Sequence, residues 1–206
     1  LVMTEYDAKQ GVCFFAYNND QLDYVKMAIL ASKYVKKNLN LPVCLITDEG
    51  SESWLEQSHS KEIINEAFDY IVITNEQTLL LDIDYIVKTD ALLKYFDDDH
   101  PVCMFDNALT VRNELPAERE RFLFDAGIKM WWSTVVYFDR SDYSELFFNT
   151  WAHVADNYEF YQYLYNFPSK LFRTDYCVSI AVHILAGMQD NQSYLGNFTS
   201  KYKSER

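Results

Sequence analysis

The chain has 206 residues, 49% of them hydrophobic, enough for one sizeable core and too few for a string of domains. Its formal charge of −13 argues against a broad footprint on a polyanion. Five Gly and four Pro exclude long flexible linkers, and no apolar run is long enough to cross a bilayer, so a soluble, cytoplasmic protein is expected.

In chain order, GVCFFAY (residues 11–17) reads as a buried strand. The NND that follows is a turn, in which Asp20 is the predicted helix cap. Val25, Ala28, Ile29, Ser32 and Val35 then recur with helical spacing. Pro42 to Thr47 is a second strand with Asp48 just beyond it, and Ser51 to Phe68 is loop and helix. DYIVIT (69–74) and TLLLDIDYIV (78–87) read as a third and fourth strand. Only Asn75, Glu76 and Gln77 join them, too few for a parallel crossover of a dozen residues. Either a tight turn joins them or residues are missing there; the sequence after Gln189 is similarly abrupt.

In the second half, VCMFD (102–106) and WWSTVVYFDRS (131–141) read as strands. Ser141 is the predicted cap of a helix carrying Leu146, Phe147, Trp151 and Val154, continued by the aromatic run YEFYQYLYNF. TDYCVSIAVHILAG (174–187) is a further apolar helix. Cys13, Cys44, Cys103 and Cys177 form no C-x-x-C pair and lie beside apolar residues, which predicts buried thiols.

Repeated strand–helix–strand units predict an α/β fold with a mainly parallel sheet and helices on its faces. Ligands of such sheets sit beyond the carboxyl ends of the strands. Tyr17, Asn18, Thr47, Asp48, Asp82 and Asp84 all fall at such ends. Asp82 and Asp84 would face apart in a continuing strand, and come together only if the chain turns between them. Such a turn offers hard oxygen ligands to Mg²⁺ or Mn²⁺, whose shell diphosphate and water can complete. Two solvated acids at a strand end are the plain alternative.

The order of GVCFFAYNND, LPVCLITDEG and LLLDIDYIVKTDALL resembles that of the nucleotide-sugar glycosyltransferases with the GT-A fold, in which an apolar strand leads into D-x-D. The resemblance implies a Rossmann-type, single GT-A-like domain over residues 1–206, with a nucleotide-sugar half (1–100) and an aromatic-rich acceptor half (101–206). It implies a metal-dependent transferase using a UDP-sugar, with Asp82 and Asp84 on the metal. Ala16, Tyr17, Asn18, Asp48, Asp82 and Ile83 would contact the nucleotide or donor sugar. Asp175, near a helix start, would be the catalytic acid residue, as base or as orienter of the donor; N-capping is its plain alternative. Arg173, Trp131 and Trp132 would belong to the acceptor surface, although adjacent strand residues face apart and one indole should be core. Such enzymes often take a third metal ligand, commonly His, from a later segment; here His183 lies in an apolar helix and no His follows it.

Small bacterial and bacteriophage members of this group are similar in length, and a phage enzyme would act in the host cytoplasm on a modified DNA base. A saccharide, glycolipid or protein is equally open as the acceptor. A non-catalytic nucleotide-binding module of the same fold is one alternative. The other is a phosphatase of the haloacid-dehalogenase type, with Asp82 as nucleophile. Against the latter, three strands precede the D-x-D, and Lys88 and Thr89 lie too close to it to supply the remaining elements.

Overall fold

A computed structural model describes residues 9–69, 76–106, 122–123, 128–166, 172–188 and 195–197. These fall into two compact units. One comprises the described residues up to Asp99 together with Tyr137–Asp139; the other comprises the rest.

The first unit opens with strand β1 (Gln10–Phe15), helix α1 (Tyr24–Leu39) and strand β2 (Val43–Ile46). Val12, Cys13 and Phe14 are buried in succession, because helices cover both faces of a parallel sheet. Asn19 Oδ1 accepts from the amides of Gln21 and Leu22, which carries the turn past Asp20. The cap of α1 is therefore Asp23, which accepts from the Lys26 amide at 2.9 Å, and not Asp20 as its position in NND predicts. The apolar stripe faces inward as its spacing predicts, with Val25, Ala28, Ile29, Ser32, Val35 and Leu39 buried. Asn40 ends the helix in the left-handed conformation (φ 54°), which Asn tolerates better than most residues.

Helices α2 (Glu49–Ser58) and α3 (Lys61–Ala67) follow. Asp69 then bonds back to the start of β2: its Oδ2 accepts from the Val43 amide at 2.8 Å and pairs with Lys36 at 2.9 Å. The rest of the DYIVIT run and Asn75 lie outside the described residues, and Gln77, read from the sequence as part of the join, is the first residue of the next strand. Strand β3 (Gln77–Leu81) lies parallel to β1, as β2 does on the other side, so β1 is the middle strand of the three. A 3₁₀ turn over Leu93–Asp97 buries Tyr95 and Phe96. Gln77 Nε2 donates to the Phe96 carbonyl at 2.9 Å and to the Tyr137 hydroxyl at 2.8 Å.

The second unit holds strands β4 (Val102–Phe105), β5 (Phe122–Leu123), β6 (Ile128–Lys129) and the first five residues of β7 (Trp132–Asp139). It also holds helices α4 (Asp142–Asp156), α5 (Tyr158–Leu164) and α6 (Thr174–Leu185), and strand β8 (Leu195–Asn197). Ser141 caps α4, as its sequence position predicts. The aromatic run does not continue α4. Asn157 turns both its amide and its side chain to the His153 carbonyl, closing α4 and letting α5 start afresh. One core cluster joins Ile128, Met130, Val154, Tyr158, Tyr161, Cys177, Ile180 and Ala181. All four cysteines are buried thiols. Among the described residues, strand order is β2-β1-β3-β7-β4-β8, with β5 and β6 as a separate antiparallel pair. No helix among them is long and apolar enough to cross a membrane.

Candidate functional site

The carboxyl ends of β1, β2 and β3 lie side by side. Phe15 is in register with Ile46, and Phe14 with both Leu45 and Leu81. The next residues along each strand therefore form a row: Ala16 to Asn18, Thr47 with Asp48, and Asp82. The Ala16 amide donates to the Ile46 carbonyl at 3.0 Å, and Thr47 Oγ1 donates to the Ala16 carbonyl at 2.6 Å. Ser51 sits at the centre of the next layer. It receives the Asn18 amide on its hydroxyl at 2.8 Å, while its own amide and hydroxyl reach the Asp48 carboxylate at 2.7 and 3.2 Å. Asp48 thus caps α2. Asn18 Oδ1 accepts from the Val25 amide at 2.9 Å. Tyr17 is exposed beside them.

Past β3 the chain turns, as convergence of the two acids requires. The Tyr85 amide donates to the Asp82 carbonyl at 3.0 Å, closing a turn over Asp82–Ile83–Asp84. Asp82 and Asp84 are exposed on either side of Ile83, whose side chain is buried. Ile83 therefore anchors the turn, and what it can offer a ligand is its backbone. Tyr85 is half-buried, and burial raises its phenol pKa. Two exposed carboxylates on one turn suit a hard divalent cation whose remaining ligands are water and phosphate oxygens. Among the described residues, no three His, Cys, Asp or Glu side chains group as a complete protein cage.

In the second unit, Asp175 is not the cap that its place at the helix start allows. The chain enters α6 through Arg173, and Asp175 lies within the first turn. Its Oδ1 accepts from both the amide and the hydroxyl of Ser133 at 3.0 Å, and its Oδ2 takes Arg173 at 3.3 Å. Arg173 also stacks over the Tyr176 ring, 5.0 Å from its centroid. One turn on, Ser179 Oγ accepts from the Trp131 amide at 2.8 Å and donates to the Asp175 carbonyl at 2.6 Å. Trp131 is 1% exposed, so its indole is core and not an open stacking platform. Trp132 is half-buried and packs against the helical core cluster. Trp131 lies just before β7 and Trp132 opens it, so strand alternation does not sort the two, and both indoles are engaged in packing. His183 is half-buried within α6, with the Tyr165 ring edge-on at 6.3 Å.

Sequence reasoning missed Asp106. It directly follows β4, is 7% exposed, and pairs with Lys129 at 2.6 Å. The Lys129 ammonium lies 4.8 Å from the centroid of a Trp131 ring. The Trp131 indole N–H has no hydrogen-bond partner among the described residues. The signal was available, since VCMFD, like LLLD, is an apolar run ending in Asp.

No family model matches the chain, and no curated protein does. Solved structures do. The galactosyltransferase LgtC in complex with donor and acceptor sugar analogues superposes with a TM-score of 0.52 at 12% identity, over 91% of this chain and 72% of that one. An active-site mutant of LgtC gives 0.52 at 11% identity over the same shares. The mannosyltransferase PcManGT from Pyrobaculum calidifontis, in complex with GDP-Man and Mn²⁺, gives 0.45 at 12% identity, over 94% of this chain and 55% of that one. The mainly parallel sheet, its flanking helices and the likeness to LgtC show the fold: it is that of the GT-A-type glycosyltransferases.

Proposed function

We propose that the protein transfers a sugar from a nucleotide donor to an acceptor hydroxyl. The observation that carries this reading is the row of strand ends, where Tyr17 and Asn18, Asp48, and the Asp82–Asp84 turn project from three adjacent parallel strands of a GT-A-type fold. Ligands of open parallel sheets bind at that edge. Asp82 and Asp84 would hold Mn²⁺ or Mg²⁺, and the cation would offset the charge on a departing nucleoside diphosphate. Tyr17 offers a ring for the base. Asn18 is fixed through its amide and its Oδ1, and Asp48 through Ser51, so the wall around the nucleotide is set before binding.

Asp175 is the acid assigned to the acceptor or donor sugar. Three hydrogen bonds already fix its carboxylate, which suits holding and orienting sugar hydroxyls through the remaining lone pairs. Arg173, beside it, would meet an anionic or hydroxyl group, and Trp132 would border the acceptor. UDP is the donor nucleotide in this reading. The acceptor is a saccharide, a glycolipid, a protein or a modified DNA base. The test is a panel of UDP- and GDP-sugars with Mn²⁺, read as nucleotide release with and without candidate acceptors. Release from one donor, dependent on the metal, is expected. No release from any donor, together with no nucleotide binding by calorimetry, overturns the proposal.

A further inference from the structure

Helix α1 departs from the charge of the chain around it. In a protein of net charge −13, its sixteen residues contain four lysines and no Asp or Glu. Lys26, Leu30, Lys33, Tyr34 and Lys37 are all exposed and recur at helical spacing, so they share one outward stripe. Lys36 is turned aside into its pair with Asp69, whereas Lys26, Lys33 and Lys37 belong to no ion pair among the described residues. Between them lie Leu30, 54% exposed, and Tyr34, 38% exposed. An exposed leucine alone needs no explanation. A leucine and a tyrosine framed by three cations without an ion pair, on the one α-helix among the described residues that carries no acid, do.

We propose that this face docks the protein on an anionic lipid bilayer. Lysine stems can lie along an apolar surface while their ammonium groups reach phosphate, and a tyrosine ring suits the headgroup level. The stripe runs along the outward face of a helix, which suits a flat, yielding bilayer. Each lysine near such a surface strengthens binding by about fivefold. The acidic remainder of the chain repels the same surface, and salt screens that repulsion beyond about 8–10 Å. Attachment should therefore be peripheral, reversible and sensitive to salt. The inference is independent of sugar transfer.

Co-sedimentation of the full chain with phosphatidylcholine vesicles, with and without phosphatidylserine, tests it at low and high salt. The wild type should bind only the phosphatidylserine vesicles and release as salt rises. Lys26→Glu/Lys33→Glu/Lys37→Glu should bind at least about a hundredfold more weakly. Leu30→Ser/Tyr34→Ser, with charge unchanged, should also bind more weakly, while both variants keep the wild-type circular dichroism. No binding by the wild type at low salt overturns the proposal, as does equal binding to phosphatidylcholine alone. Lysine dependence without any Leu30/Tyr34 dependence also overturns it, because the face would then be a contact for any acidic polymer.

Discussion

Asp175 and Ser133 are joined twice. The amide and the hydroxyl of Ser133 both reach Oδ1 of Asp175 at 3.0 Å, so one carboxylate oxygen fixes the start of β7 against the first turn of α6. Asp175→Ala removes the acceptor for both donors and should lower stability by about 1–3 kcal/mol. Ser133→Ala removes only the hydroxyl and should cost about 0.5–1.5 kcal/mol. The double variant should be less destabilised than the sum, which urea denaturation of the four proteins measures. If Asp175 also orients a sugar, its loss should reduce transfer far more than Ser133→Ala does at a temperature where both are folded.

The Asp82–Asp84 turn should be separable from folding. Both carboxylates are exposed, so Asp82→Asn and Asp84→Asn should shift the melting temperature by no more than a degree or two. Titration calorimetry of UDP with Mn²⁺ should show binding to the wild type and loss of the metal-dependent part in each variant, because a neutral amide is a poor ligand for a hard cation. A wild-type protein that formed an aspartyl-phosphate at Asp82 would falsify the transferase reading.

Ser179 lies inside the second unit, fully buried, with the Trp131 amide on its hydroxyl. Ser179→Ala leaves that amide without an acceptor in a dry setting. A loss of about 1–3 kcal/mol is expected, as a lower midpoint at unchanged slope in denaturant. Ser179→Thr keeps the hydroxyl and tests whether the loss belongs to the hydrogen bond.

Alkaline pH should loosen the second unit. Burial, first among its causes, raises the Cys177 thiol from 9.0 to about 11, and burial likewise raises the Tyr158 phenol from 10.0 to about 12. The fold therefore favours the neutral forms. Their contribution is complete below about pH 9, where neither group ionises even when unfolded, and is lost as pH climbs through 9 to 11 for the thiol and 10 to 12 for the phenol. A melting temperature that is level from neutral pH to about 9 and falls above it is expected for these two groups. Cys177→Ala should flatten the earlier part of that fall.

What could be read from the sequence depended on how local its cause is. Strands β1 and β3 announce themselves because burial on both faces forces consecutive apolar residues. Ser141 was legible as a cap because capping spans only a few residues. Asp20 was misread because Asn19 takes two amides first, and the choice between neighbouring polar residues is settled by turn geometry that composition does not encode. The break at Asn157 was hidden in the same way by one side chain competing for a helix carbonyl. The partner of Asp175, Ser133, lies forty-two residues away, and no local pattern reveals such a pairing. Asp106 was overlooked because a lone acid after a strand draws less notice than a pair.

Asn18 bears on how the row of strand ends would respond to a ligand. Its amide is tied to Ser51 in α2, and its side-chain oxygen to the Val25 amide at the start of α1. The loop after β1 is thereby latched to two helices at once, so it cannot swing while either helix stays in place. A ligand seated there would meet a wall already ordered, and little loop entropy would remain to be lost on association. Recognition at this edge should then proceed close to lock-and-key, with amide exchange at Asn18 and Val25 slow before any ligand arrives and little changed afterwards.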